Sequence, residues 1–98
     1  MDQLTHHHLT LRRTGRPPIY AVGSCVARVH HELLDERVAV YELVTGQVAA
    51  SIQTRAPGSG VRLELAVVGE PDAVARWTCD RAPRTGPAAV ERAGLVRR

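Results

Sequence analysis

Three residue types in this chain of 98 could do chemistry: five histidines, two cysteines and thirteen arginines. The histidines cluster first. His6 and His8 are two apart, so on a strand they project from the same face, where one metal ion could take both. His30 is the third candidate ligand, with His31, Glu32 and Cys25 behind it; imidazole and thiolate suit zinc. No ligand pair has a diagnostic spacing. The plainer expectation is therefore a solvated histidine run, no cofactor, and zinc at His6, His8 and His30 as the one metal the residues allow.

Cys25 follows Gly23 and Ser24 and has His30 and His31 close by in sequence, which raises the question of a thiol nucleophile with an imidazole base. The short segment does not itself bring the groups together, and a packed thiol is the commoner fate of such a residue. Gly23-Ser24-Cys25 lacks the second glycine of a hydrolase elbow. Gly58-Ser59-Gly60 joins two strand-like runs and leads into no helix, so it is not a phosphate loop. No catalytic residue is assigned.

All thirteen basic residues are Arg, with no Lys and no Asn. Together with abundant Ala, Val and Gly, this bias points to a high-GC bacterial genome and weakens any argument that Arg was selected for phosphate or carboxylate recognition. The charge is uneven. Residues 1–80 hold eight Arg against nine Asp and Glu, while residues 81–98 hold five Arg against Glu91. Arg81, Arg84, Arg92, Arg97 and Arg98 could dock on nucleic-acid phosphates or on an acidic protein surface. With two Tyr, one Trp and no Phe, little is available for base stacking. The N-terminus shows no charged start followed by an apolar run, and no apolar run approaches a membrane span. A cytoplasmic protein with reduced thiols and no membrane partner is expected.

These residues need elements to hold them. Leu9 and Leu11 alternate with Thr10 and Arg12 in a short strand, and Thr14 to Pro18 reads as a turn. Ile19–Val29 and Val38–Val44 are apolar on both faces. They fit two strands joined by a turn at His30–Glu36, or one long helix from Ser24 to Val44. The density of β-branched residues (Val22, Val26, Val29, Val38, Val40, Val44) favours strands. Thr45-Gly46 turns the chain, with Gly46 left-handed. Gln47–Arg55 then turns Val48, Ala50 and Ile52 inward, and Val61–Val68 alternates as a further strand. Pro71 and Asp72 open a short helix that buries Val74 and Trp77.

The prediction is an α+β domain, mainly β, over residues 1–80. About five mostly antiparallel strands form a meander, flat or curled into a half-barrel, followed by one short helix. Residues 81–98 form an Arg/Pro/Ala-rich basic tail, disordered if left to itself, with a helix over Ala88–Val96 as the exception. The alternative is β-α-β-β-α with the long helix. One short helix cannot cover a two-sided apolar sheet, so either the sheet curls or another chain covers it. Tyr20, Val22, Val26, Tyr41 and Leu43 are the expected partner surface. The function expected is a small non-catalytic binding or oligomeric accessory module that meets another protein chain, a second copy or a different one. The alternatives are a nucleic-acid-associated protein acting through the tail and a small metal-dependent enzyme using the histidines.

Overall fold

Five strands and two helices follow one another in chain order: β1 (His7–Arg13), β2 (Arg16–His31), β3 (Glu36–Leu43), β4 (Val48–Arg55), β5 (Arg62–Gly69), α1 (Pro71–Arg81) and α2 (Gly86–Arg92). The computed structural model describes residues 6–95. The strands form one sheet in the order β1-β2-β3-β4-β5, every neighbour antiparallel. Ser24 to Val44 is therefore strand, turn and strand. The β-branched side chains settle on a pleated surface, and the turn narrows to Glu32–Asp35, with Asp35 left-handed at φ 49°. Gly46 is left-handed as expected, at φ 91°. Pro17 and Pro18, expected in a turn, lie at the start of β2. Their missing donors are tolerated there because the ladder with β1 is broken between Leu11 and Arg13.

β2 sets the shape. Its sixteen residues are too many for one partner, and it serves two. The first part pairs with β1, from Arg16 opposite Arg13 to Gly23 opposite His7; the second pairs with β3, from Gly23 opposite Leu43 to His31 opposite Glu36. Gly23 belongs to both ladders. A Cβ there would overlap the Glu42 carbonyl oxygen and come within 2.9 Å of Leu43 Cδ2, so only glycine lets β3 approach this closely. A bulge between Cys25 and Ala27 follows at once and adds bend and twist. The β1–β2 hairpin folds over, and its turn reaches the far edge of the sheet. Thr14 N–H donates to the Glu64 carbonyl at 2.8 Å, and Glu64 N–H donates to Thr14 Oγ1 at 2.8 Å. The result is a half-barrel closed at one corner.

The helices cover the convex face. Val38, Val40, Val48, Ala50 and Ile52 are buried there against Val74, Ala82 and Ala89, with Val26, Val29, Leu65, Val67 and Trp77 half-buried at the margin. On the concave face Leu11 and Ala49 are buried as well. Curling thus covers part of the second apolar face without another chain.

The sequence pattern shows one helix and a weak second one over Ala88–Val96; the structure has two, the second starting earlier, at Gly86. Residues 82–95, from the stretch expected as a basic tail, pack on the core through Ala82 and Ala89, and Val90 is buried beside α1. Two local devices hold them. Gly86 starts α2 where a Cβ would stand 2.6 Å from the Thr78 carbonyl oxygen, so the helices touch backbone to backbone. Buried Glu36, 7% exposed, accepts from Thr85 Oγ1 at 2.7 Å and from Thr54 Oγ1 at 2.9 Å, tying the α1–α2 link to β3 and β4. Arg92 adds an exposed bond from its guanidinium to the Arg28 carbonyl at 3.2 Å.

Candidate functional site

The expected partner surface divides into three places. Tyr20, Val22 and Leu43 line a shallow apolar groove of about 310 Å³ with Ile19, Val44 and Val68. Val26 shares the convex face with Tyr20 and Val22 but lies further along β2, at the margin of the core, where the helices cover it. Tyr41 lines the concave face.

The groove lies at an edge of the sheet where the register puts Ile19, Ala21, Leu43 and Val68 on the concave side, with Tyr20 and Val22 at its rim. Tyr20 and Val22 point to the convex side, opposite Thr10 and His8 of β1, but the helices pack further along, over the part of β2 paired with β3. Tyr20 remains 75% exposed, and Val44, past the end of β3, is 56% exposed. A tyrosine flanked by two valines on a rigid sheet offers a large apolar area with one polar tip. Val44 belongs to this surface although the alternation of β3 alone gave no reason to single it out from its neighbours.

The histidines are not gathered. His7 pairs with Gly23 and His8 with Val22, whereas His30 lies eight residues further along β2 from Val22, roughly 25 Å at the rise of a strand. His30 Nε2 stands 4.0 Å from Asp35 Oδ1, and His31 Nδ1 accepts from the Leu34 amide at 3.4 Å. Among the described residues no group of three His, Cys, Asp or Glu side chains is placed to hold a metal ion.

Cys25 is exposed, opposite Tyr41, and its thiol donates to the Ala27 carbonyl at 3.4 Å. Cys79 is half-buried on α1, and both cysteines are free. Burial, and then the Asp80 charge, push the Cys79 thiol pKa up.

The tail arginines spread apart. Arg81 closes α1 with its guanidinium 5.4 Å from the centre of the Trp77 ring, Arg84 is exposed in the link, and Arg92 ends α2. Arg97 and Arg98 lie outside the described residues.

A second concentration of arginine was not expected from sequence. On the concave face β2, β3, β4 and β5 each bring one arginine to the same end: Arg28, Arg37, Arg55 and Arg62. The register places them there, with His30 opposite Arg37, Arg37 opposite Gln53, and Arg55 opposite Arg62. Asp35 takes two of them, Arg55 at 2.7 Å and Arg62 at 3.5 Å. The Arg55 bond, then the charges of Arg55, Arg62 and Arg37, hold the Asp35 carboxyl below its ordinary value. Counting positions two apart across adjacent strands could have found this band; it needed the register, which a single sequence does not supply.

No protein-family model, curated protein or solved structure matches the chain. No helix among the described residues is long and apolar enough to cross a membrane.

Proposed function

We propose that this chain is a small non-catalytic binding module of the oligomeric accessory kind, and that its partner is a second copy of itself, docked groove to groove across Tyr20, Val22 and Val44. The observation that carries the reading is the exposure of Tyr20 and Val44 on a stretch of β2 that the helices leave bare. Two further features support it. The largest fully buried side chains are Ile52, Val38, Val40 and Val74, so the core is made of small units, while the larger Tyr20 faces outward. A thin core gains from burial supplied by a second chain. The same patch on both copies also meets the requirement of a two-fold interface, which is self-complementary. An ordinary interface of about 800 Å² per partner would take roughly an eighth of the 6480 Å² surface.

Size-exclusion chromatography with light scattering tests it against the variant Tyr20→Ser/Val44→Ser. The wild type is expected at twice the chain mass of 10.7 kDa and the variant at the chain mass. A buried tyrosine anchor implies a loss of affinity of ~30-fold or more. Equal masses for the two proteins would exclude this surface.

A further inference from the structure

The concave face carries charge that the fold does not use. A basin of about 360 Å³ opens on the concave face toward the β2–β3 turn, lined by Arg28, His30, Arg37, Tyr41, Ser51 and Gln53 among others, and it shares Tyr41, Ser51 and Gln53 with a smaller pocket that Thr10, Leu11 and Arg12 of β1 and Glu64 also line. No carboxylate lines the basin itself. Arg37 and His30 sit directly opposite on adjacent strands, and Arg28 is two residues from His30 on the same face. Their side chains are thus within a few ångströms of one another at the root. Asp35, at the rim, is bonded to Arg55 and Arg62, and Glu64 accepts from Gln53 Nε2 at 3.3 Å. Neither guanidinium in the basin is ion-paired among the described residues. Cations gathered on a concave wall repel one another and raise the local potential. Such an arrangement destabilises the empty protein and becomes favourable when an anion occupies it.

We propose that this basin is a binding site for a small organic phosphate monoester, its phosphate held by Arg28 and Arg37 and its organic part resting over Tyr41. Phosphate fits better than carboxylate for three reasons. Two guanidiniums match its double charge. Each guanidinium can donate to two of its oxygens in the forked geometry that arginine favours. The Tyr41 and Ser51 hydroxyls, with the Gln53 amide, supply neutral donors for the remaining oxygens. The site is separate from the Tyr20 groove, so it stands or falls independently of self-association.

The test is a titration of the ¹⁵N-labelled full chain with phenyl phosphate in low salt, followed by amide shifts. Saturable shifts confined to Ala27–His30, Arg37–Tyr41 and Ser51–Gln53 are expected. Arg28→Gln and Arg37→Gln should each weaken binding ~10-fold or more, as loss of a charged fork does, and Arg76→Gln on α1 should leave it unchanged. Arg28→Gln should melt at or above the wild-type temperature, because it removes repulsion; a lower melting temperature would mark that arginine as structural and overturn the assignment. No saturation at ~10 mM phenyl phosphate, or equal weakening by Arg76→Gln, would also overturn it. A ten-nucleotide oligothymidylate binding the same amides ~100-fold more tightly would replace the small ligand by single-stranded nucleic acid and refute the monoester assignment.

Discussion

Replacing Gly23 by alanine adds one methyl group at the point where β2 changes partners. The new carbon would overlap the Glu42 carbonyl oxygen and press on Leu43 Cδ2 at 2.9 Å. The main obstacle is backbone within the β2–β3 ladder, which cannot swing aside as a side chain can. Overpacking in a rigid setting costs about 1–3 kcal/mol, and more when backbone must move. Alanine also stiffens the unfolded chain, which offsets about 0.4–1 kcal/mol. The net expectation is a loss of about 2 kcal/mol, or roughly 10 °C in Tm for a domain of this size. Gly15→Ala is the comparison. Gly15 sits at φ 75° with open space around it, so its cost is backbone strain alone, about 1 kcal/mol. Thermal unfolding followed by circular dichroism gives both values. Hydrogen exchange adds a local signature: Gly23→Ala should expose the amides of β1, whose partner strand must shift, before those of β4. A Gly23→Ala protein melting within ~2 °C of wild type would refute the claim that this glycine sets the fold of the half-barrel.

Removal of the Glu36 carboxylate strands the Thr85 and Thr54 hydroxyls. Glu36→Ala should therefore cost about 3 kcal/mol in urea unfolding and Glu36→Gln, which keeps one acceptor oxygen, less than half of that; equal midpoints for wild type and Glu36→Ala would contradict the strut. The Asp35 carboxyl is held below its ordinary value of 3.8, chiefly by Arg55. Its contribution to stability is complete at neutral pH, fades as the pH falls below that ordinary value, and is gone below the lowered pKa. Asp35→Asn should accordingly lower the urea midpoint slightly at pH 7 and leave it unchanged near pH 2; a larger difference at the acid end would reverse the sign. Iodoacetamide at neutral pH should label Cys25 several-fold faster than Cys79, which burial protects and holds protonated, as read by peptide mass mapping; equal rates would contradict the placement of Cys79 on the packed side of α1.

Much of the fold was legible because strand periodicity is local. Val48, Ala50 and Ile52 alternate inward in the sequence and in the structure, and the valines between 22 and 44 favour strands for a reason that acts within each residue. α2 was obscured by composition. Gly86, Pro87 and three alanines read as a loose tail, and their value appears only when Gly86 meets Thr78 and Ala89 meets the sheet. The Glu36 contacts join residues 18 and 49 positions apart, and no local pattern marks such a pairing. Of the expected surface, Tyr20 and Val22 needed only their exposure to be read. Val26 shares their face, and its cover depends on where α1 and α2 pack, which no local pattern shows. The arginine band escaped for the converse reason: each arginine looks like an ordinary solvated residue until four strands are set in register.

Docking of a second copy on the bare stretch of β2, as proposed, makes the chain's mass depend on its concentration. Sedimentation velocity on the full chain from ~1 to ~100 μM tests it most directly, a range that brackets an affinity typical of a modest two-fold interface. A sedimentation coefficient rising with concentration toward that of a dimer of the 10.7 kDa chain is predicted. A single monomeric species at every concentration would contradict it.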